Sequence, residues 1–204
     1  MKSAQDLFLS LLPQATEISK EVSRRFFKKP LDQIGMVSKA DASPVTAADL
    51  EIEARLRDLI AKNYPAHGII GEEHGNTNTD AEFVWVLDPI DGTKSFISGV
   101  PLFTTLVALL HRGEPVGGAI YQPILDELVW GNNRECFFNG KPTRIRNTNS
   151  LAEATLLVTD ARHVAELHPQ AHFDELAADV RFWRTWADGY GYALIATGYA
   201  DIML

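Results

Sequence analysis

Cysteine is almost absent from this sequence, which limits its redox and metal chemistry. Cys136 is the only cysteine among 204 residues, so an internal disulfide and a zinc site built from cysteines are both excluded. Cys136 stands in an apolar run with Phe137 and Phe138, where burial is the expected fate of a thiol. A role as a nucleophile is therefore not expected.

Long apolar runs are also missing, and no stretch approaches the roughly 20 apolar residues that a membrane-spanning helix requires. Gln5, Asp6 and Pro13 interrupt the N-terminal segment, whereas a secretory signal needs an unbroken apolar core. The sequence thus predicts a cytoplasmic protein with no membrane partner. Its composition, 46% hydrophobic and 23% charged residues, is that of a soluble globular protein with a substantial core.

The sequence has no block of Lys and Arg, and its formal net charge is -8 at pH 7. This balance argues against a nucleic-acid-binding surface. An acidic protein that acts on an anionic substrate needs cations to bridge the two.

The first part of the chain has the pattern of two helices. Apolar residues recur every three or four positions from Leu7 to Phe26, which predicts an amphipathic helix that Pro13 either kinks or starts. A loop rich in Gly, Ser, Asp and Pro follows from Gly35 to Pro44. A second helix is predicted next, with Thr46 as its N-cap and Asp49 in its first turn.

Two short apolar segments then end directly in carboxylates. The segment Gly68 to Gly71 is followed by Glu72 and Glu73, and the segment Phe83 to Asp88 ends in an acid itself. Both have the length and composition of strands. We expect these strand ends to deliver their acids to one rim of a sheet.

Beyond Pro101 the chain becomes rich in strands, and the pattern predicts an antiparallel meander that closes on the turn pair Asn139, Gly140. The predicted strands are Thr104 to Leu110, Val116 to Tyr121, Glu127 to Trp130 and Glu135 to Phe138. After Ser150, we expect a strand at Thr155 to Thr159 and helices near Phe173 to Ala178 and Asp188 to Thr197.

This order of elements predicts an α+β fold, a layered α/β sandwich with mixed and antiparallel sheets between helix layers. We divide it into two regions. Residues 1–150 form an N-terminal helix and sheet region with the metal and phosphate site. Residues 151–204 form a C-terminal α/β region with the determinants of substrate choice.

The segment Asp88 to Thr93, with the sequence DPIDGT, carries the strongest chemical signal. Pro89 fixes its own φ angle and, with the glycine that follows, forms a turn that holds Asp88 and Asp91 on the same side of the chain. Two carboxylates and an exposed carbonyl, such as that of Ile90, make a partial shell for Mg²⁺, which prefers oxygen ligands and keeps several waters. As an isolated hexapeptide, DPIDGT is equally typical of a tight surface turn.

Gly92 allows the backbone to approach a ligand closely, and the N–H groups of Gly92 and Thr93 would point at an anion if they open a helix. The nearby acids would repel that anion, since one like-charge pair at 4 Å costs about 4 kcal/mol at an effective dielectric constant of 20. Bound metal ions would reverse the sign of the site, supply a water of lowered pKa and neutralise the phosphoryl oxygens. No covalent intermediate is needed.

Several segments, in order, resemble the inositol monophosphatase superfamily, and the resemblance covers essentially the whole chain. It implies that family's alternating layers of helices and sheets, commonly as a homodimer. The segments are the loop at Lys39, Pro44 to Asp49 (PVTAAD), Ile70 to Glu73 (IGEE), Trp85 to Thr93 (WVLDPIDGT) and Ala196 to Asp201 (ATGYAD).

The resemblance implies a site for two or three Mg²⁺ ions. Glu72, Asp88 and the Ile90 carbonyl would bind the first ion, and Asp88 would bridge to a second ion held by Asp91. Glu73 would be a supporting residue.

The same resemblance implies the catalytic residues. Asp49 and Thr93 would orient the attacking water, and Glu72 would act through another metal-bound water. Asp91, Gly92 and Thr93 would contact the substrate, a small phosphorylated metabolite.

The segment Arg184 to Tyr192, RTWADGYGY, resembles the RxxGDxYGY signature of the histidinol-phosphatase branch, although Ala187 stands where glycine is usual. Asp188 and Arg184 are the implied substrate-binding residues, and a carboxylate at position 188 suits a cationic amino or imidazolium group. L-histidinol phosphate is therefore the expected substrate. Two alternatives are an inositol-1-phosphate or broad sugar-phosphate phosphatase, and a role of Asp188 as a helix cap only.

Two further features limit these expectations. His163, His168 and His172 share a short polar segment, which is more typical of a solvated face than of a metal site. Family members usually extend some tens of residues further and place a WDxA-like motif after the strand that ends here at Leu204, and its aspartate completes the second metal site. A third hypothesis is therefore a catalytically silent module that binds phosphate or metal.

Overall fold

The computed structural model describes residues 3–39, 43–161, 164, 170–186 and 188–204. Within these ranges the helices are α1 Ala4–Phe26, α2 Ala47–Asn63, α3 Thr93–Ile97, α4 Gln170–Asp179 and α5 Asp188–Ala196. The strands are β1 Val37–Ser38, β2 Pro44–Val45, β3 Gly68–Gly71, β4 Asn76–Thr77, β5 Phe83–Asp91, β6 Thr104–His111, β7 Glu114–Gln122, β8 Glu127–Gly131, β9 Cys136–Phe138, β10 Lys141–Thr143, β11 Thr155–Leu157, β12 Phe182–Arg184 and β13 Ile202–Met203. Three residues of the sequence analysis, His163, His168 and Ala187, lie outside the described ranges.

Helix α1 begins earlier than the apolar pattern predicts because Ser3 caps it. The Ser3 hydroxyl accepts from the Asp6 N–H at 3.1 Å, and the Asp6 carboxylate accepts from the Ser3 N–H at 3.0 Å. This reciprocal pair satisfies two of the free N–H groups at the start of a helix. Pro13 therefore lies inside the helix and does not start it.

Helix α2 begins where the sequence predicts, after Thr46. The Thr46 hydroxyl accepts from the Ala48 N–H at 3.2 Å, and Asp49 accepts from the Thr46 N–H at 2.9 Å. Thr46 and Asp49 are both buried. The cap thus fixes the position of a buried carboxylate as well as the start of the helix.

The larger sheet has eight strands in the order β10-β9-β8-β7-β6-β5-β3-β4. The predicted meander is confirmed: β5 to β10 pair antiparallel in succession, and Asn139 and Gly140 form a turn with φ angles of 46° and 76°. Strands β3 and β5 pair in parallel, with Ile69 opposite Trp85. Their carboxyl ends therefore lie side by side, as predicted from the acids that follow them.

Helices α1 and α2 pack against this sheet and bury its main core. Trp85 is fully buried at the centre, and its ring lies 6.3 Å from that of Phe8 on α1. The buried face of α2 presents Ile52 and Leu56 to the same cluster. This core holds the carboxyl end of β5 against the start of α2.

The second sheet has three parallel strands in the order β12-β11-β13. Leu156, Val158, Phe173 and Val180 form its separate apolar cluster. A third sheet consists of β1 and β2 alone. The sheets and their helices confirm an α+β sandwich with mixed and antiparallel sheets. Among the described residues, none of the helices has the length and apolar character needed to cross a membrane.

Candidate active site

A bulge near the end of β5 places two acids on the same side. Asp88 pairs with Leu106 and Asp91 with Thr104, so three steps along β5 match two steps along β6. In a regular strand, residues three apart point to opposite faces. The extra residue removes this alternation, and Asp88 and Asp91 come close enough for the charge of Asp91 to raise the pKa of Asp88.

The turn after Asp91 requires a glycine for two reasons. Gly92 has a φ of 88°, in the left-handed region, and it caps the short helix α3. A Cβ at this position would lie 2.7 Å from Oδ2 of Asp188 and 3.2 Å from the Leu102 carbonyl. Gly92 therefore lets a carboxylate of the C-terminal region approach the turn.

Thr93 connects this turn to helix α2. Its hydroxyl donates to the Ile90 carbonyl at 3.0 Å and lies 3.4 Å from Oδ1 of Asp49. Thr93 and Asp49, predicted to act as a pair, are thus within hydrogen-bond distance. The Ile90 carbonyl lies beside them.

The acids of the site hold their protons unusually tightly. Burial raises the pKa of Asp49 to about 6, although hydrogen bonds from Thr46 oppose this shift. Burial also raises the pKa of Asp91 to about 6, and the charges of Asp188 and Glu72 add to it. The pKa of Asp88 is raised by burial and by the charges of Glu72 and Asp91. Such mutual repulsion among buried carboxylates favours a cation between them.

A divalent cation fits these residues. Oδ1 of Asp88 is buried and has no hydrogen-bond partner among the residues that the structure describes. In that part of the chain, no group of three or more His, Cys, Asp or Glu side chains is placed to hold an ion by itself. Mg²⁺ needs no such group, because it commonly binds through one or two carboxylates and keeps several waters.

Lys39 lies at the edge of this acidic cluster. Its ammonium group donates to Glu72 at 2.7 Å and to Glu73 at 2.8 Å. Burial alone would lower the pKa of Lys39, but the hydrogen bonds to the two glutamates outweigh it and the pKa is raised. The Glu72 side chain is still 45% exposed, so it faces the open side of the site.

A cavity of about 250 Å³ opens beside these acids. Its lining comes from both regions of the chain: Ser43, Pro44, Glu72, Gly92, Thr93, Lys94, Ser95, Thr159, Asp160, Thr185 and Asp188. A space of this size and polarity suits a small, charged metabolite.

Helix α5 begins at this cavity and contacts the metal-site turn directly. The Gly189 N–H donates to Oδ2 of Asp91. Asp188 is partly buried, and burial raises the pKa of its carboxyl group while the charge of Lys94 opposes the shift. The first residues of α5 therefore complete one wall of the site.

Comparison with known proteins agrees with this geometry. The profile described as the inositol monophosphatase family matches residues 6–204. The chain belongs to the inositol monophosphatase family. Its relatives include phosphatases of more than one name, so membership establishes the fold.

Two curated relatives of this family member have different names. The chain is 40% identical over 202 residues to the bifunctional phosphatase IMPL2, chloroplastic, of Arabidopsis thaliana, and the match covers 98% of this chain and 57% of that protein. It is 32% identical to the histidinol-phosphatase of Chlorobaculum parvum, covering 91% of this chain and 74% of the relative. The chain thus spans little more than half the length of the first relative.

A solved structure shows the same fold. The inositol monophosphatase from Zymomonas mobilis superimposes with a TM-score of 0.82 at 34% identity, covering 99% of this chain and 77% of that one. The predicted resemblance to the family is therefore confirmed in sequence and in structure.

Within this inositol monophosphatase fold, most of the predicted site residues come together and one does not. Asp49, Glu72, Asp88 and Asp91 interact through their charges, and Ile90, Gly92, Thr93 and Asp188 lie beside them. The guanidinium of Arg184 instead lies 5.5 Å from the Phe182 ring centroid and donates to the Trp183 carbonyl at 2.7 Å. Arg184 does not line the cavity, and its role in substrate binding stays a prediction.

The sequence patterns gave no role to three residues that surround this site. Thr104 is buried and its hydroxyl lies 3.4 Å from Oδ2 of Asp91. Thr185 lines the cavity, and Glu53 is a fully buried acid behind the Glu72 loop. Of these three residues, the sequence offers a signal for Glu53: it stands in the middle of an apolar helix face, and a buried charge needs partners.

Proposed function

We propose that this protein is a Mg²⁺-dependent phosphomonoesterase that hydrolyses a small phosphate ester by direct attack of water. The observation that carries the proposal is Oδ1 of Asp88, which is buried and has no hydrogen-bond partner among the described residues, while the charges of Glu72, Asp91 and Asp49 raise the pKa of this carboxyl group. Family membership supports the reaction class.

Glu72, Asp88, Asp91 and the Ile90 carbonyl would hold two or three Mg²⁺ ions. When bound, Mg²⁺ stabilises negative charge on the phosphoryl oxygens and lowers the pKa of water. The chain's own acids supply the hard oxygen ligands that this ion prefers. Asp91 is also held by the Gly189 N–H and the Thr104 hydroxyl, which limit its rotation.

Thr93 and Asp49 orient the water. Because the Thr93 hydroxyl donates to the Ile90 carbonyl, its oxygen can accept a hydrogen bond from a water. Asp49 lies 3.4 Å away, and its pKa of about 6 suits a proton acceptor near neutral pH. The pair thus aligns a water and receives its proton.

Asp188 supports L-histidinol phosphate as the preferred substrate. Its carboxylate lines the cavity beside Gly92, where it can pair with the cationic amino or imidazolium group of such a substrate. The Chlorobaculum relative is named a histidinol-phosphatase. The nearby charge of Lys94 favours a second candidate, an inositol-1-phosphate or broad sugar-phosphate phosphatase, because it partly neutralises Asp188.

The test is phosphate release by the full-length protein from L-histidinol phosphate, inositol-1-phosphate and a set of sugar phosphates, with saturating Mg²⁺ and with EDTA. We expect Mg²⁺-dependent release and the highest kcat/KM on L-histidinol phosphate. Asp188→Asn should lower kcat/KM at least about tenfold on that substrate and leave inositol-1-phosphate unchanged, since charge recognition is lost for the cation alone.

The outcomes separate the alternatives. Equal effects of Asp188→Asn on both substrates would support the broad phosphatase, and Mg²⁺ binding without turnover would support a silent binding module. The homodimer, the cytoplasmic location and the division at residue 150 stay predictions.

A further inference from the structure

Helix α2 carries a second charged group behind the site. Asp49, Glu53 and Arg57 follow one another at intervals of four residues, so they project from one face of the helix. Asp49 contacts the turn with Thr93. The Glu53 side chain is fully buried and the Arg57 side chain is 16% exposed.

Glu53 binds the backbone of the loop that follows Glu72. Its Oε2 accepts from the Glu73 N–H at 2.7 Å, and its Oε1 accepts from the His74 N–H at 3.0 Å. Arg57 donates to Oε1 at 2.8 Å and neutralises the charge. Three donors thus compensate the charge of this buried carboxylate.

Arg57 extends this contact along the same loop. It donates to the Gly75 carbonyl and lies 3.3 Å from the Thr77 hydroxyl. Glycine at position 71 permits the approach, because a Cβ there would clash with Oε1 of Glu53 and with the Arg57 guanidinium. The loop is therefore seated directly on α2.

Hydrogen bonds hold the backbone at Glu72 and at the residue that follows it. The Glu72 N–H donates to the Leu87 carbonyl of β5 at 3.3 Å, and the next N–H donates to Glu53. The Glu72 side chain itself is 45% exposed and accepts from the Lys39 ammonium group at 2.7 Å. Its direction therefore depends on its backbone.

We propose that Glu53, with Arg57, is a positioning residue for the metal site: it ties the Glu72 loop to the helix that carries Asp49. Helix α2 then sets the distance between Glu72, the proposed metal ligand, and Asp49, the carboxylate that orients water. This inference rests on the proposed function.

The test variant is Glu53→Gln, which retains one carbonyl acceptor and loses the charge. With Mg²⁺ alone, titration calorimetry should show affinity reduced by about 10- to 100-fold, the usual effect of removing a residue that orients a ligand. The Mg²⁺ concentration for half-maximal phosphate release should rise by a similar factor, whereas KM for L-histidinol phosphate at saturating Mg²⁺ should stay the same. Glu51→Gln is the matched control, since Glu51 lies on the same helix and pairs with Arg25 and Arg55 at the surface.

A second variant covers the case in which Glu53→Gln does not fold. Arg57→Lys keeps a positive charge and loses the contacts with Gly75 and Thr77, so it should weaken Mg²⁺ binding by a smaller factor. A wild-type Mg²⁺ affinity in folded Glu53→Gln, or in Arg57→Lys, would overturn this inference and leave the proposed function intact. Wild-type protein that neither binds Mg²⁺ nor releases phosphate would overturn the proposed function.

Discussion

Two partly buried carboxylates, Asp201 and Asp88, have opposite surroundings. Asp201 accepts from Arg146 Nε at 2.7 Å and from the Thr155 N–H at 2.6 Å, and Thr148 also donates to it. Asp88 keeps an oxygen with no partner among the described residues. The first carboxylate stabilises the chain, whereas the second makes it ready for a cation.

Removing the charge of Asp201 should destabilise the protein. Asp201→Asn loses the ion pair with Arg146 and is expected to lower the free energy of unfolding by about 1.5–3 kcal/mol, the range for hydrogen bonds to charged groups. Urea unfolding at about pH 7 measures this difference. Asp126→Asn is the control: that side chain is 51% exposed and pairs with Lys20, so the change should cost less than about 1 kcal/mol.

The pH dependence of the Asp201 effect has a definite sign. The hydrogen bonds from Arg146, its main partner, hold the pKa of Asp201 below its usual value. A lowered folded-state pKa gives stability that is complete above the unfolded-state pKa and disappears as the pH falls through the folded-state value. The difference between wild type and Asp201→Asn should therefore shrink below about pH 4. A constant difference would show that the charge is not responsible.

Among single residues, the sequence predicted those that belong to a local chemical pattern and missed those whose partners are distant along the chain. Asp88, Asp91 and Thr93 stand together in one short motif, and their types already indicate oxygen ligands. Asp201 and Arg146 are separated by 55 positions, and nothing near either residue indicates the other. The contact of Glu53 with the N–H groups of Glu73 and His74 was missed because these lie 20 and 21 positions further along the chain.

Among the elements, the sequence predicted those with an apolar pattern of their own, which include the short strands β3, β9 and β11. Helices α1 and α2 and strands β5 to β8 are long enough for their apolar residues to repeat several times. Strands β12 and β13 have three and two residues, too few for any periodicity. They form by parallel pairing with β11 from distant parts of the chain, which local patterns cannot show.

The first turn of α5 should tolerate no side chain at position 189. A Cβ there would collide with Oδ2 of Asp91 and lie 2.6 Å from the Thr104 hydroxyl. We expect Gly189→Ala to move α5 away from Asp91, to reduce kcat/KM at least about tenfold and to cost about 1–3 kcal/mol of stability through overpacking. Phosphate release and thermal unfolding measure the two effects.

Gly118→Ala is the matched control for this prediction. It lies on β7, and no described atom is within 4 Å of a Cβ built there. Wild-type activity in Gly189→Ala would mean that the contact between α5 and Asp91 has no part in catalysis.

In the molecule as a whole, both regions of the chain contribute acids to the site. The α1 and α2 side supplies Asp49, Glu72 and Asp91, and α5 supplies Asp188. Burial raises the pKa of Asp49 and Asp91 to about 6. Without a cation, these two groups make the folded state less stable as the pH rises from about 4 towards 6, because the unfolded chain releases their protons more easily.

Bound Mg²⁺ should restore the folding stability that these ionised carboxylates remove, and the size of this stabilisation should depend on pH. The ion binds ionised carboxylates, so its affinity falls when Asp91 and its neighbours hold protons. At a concentration 100 times its Kd, a ligand that binds only the folded state adds about 2.7 kcal/mol, which corresponds to several degrees in Tm for a chain of this size. We therefore expect a Mg²⁺-induced rise in Tm at about pH 7.5 that is clearly smaller at about pH 5.

The variant Asp88→Asn tests whether the Mg²⁺-induced rise in Tm comes from binding at this site. Burial and the charges of Glu72 and Asp91 raise the pKa of Asp88 to about 9, so without metal this group holds its proton at about pH 7.5, and Tm of the neutral asparagine variant in EDTA should be close to that of the wild type. The same change removes a metal ligand, so added Mg²⁺ should then raise Tm little. A Mg²⁺ effect that is equal at both pH values, or equal in the wild type and Asp88→Asn, would place the binding of the ion elsewhere on this acidic protein.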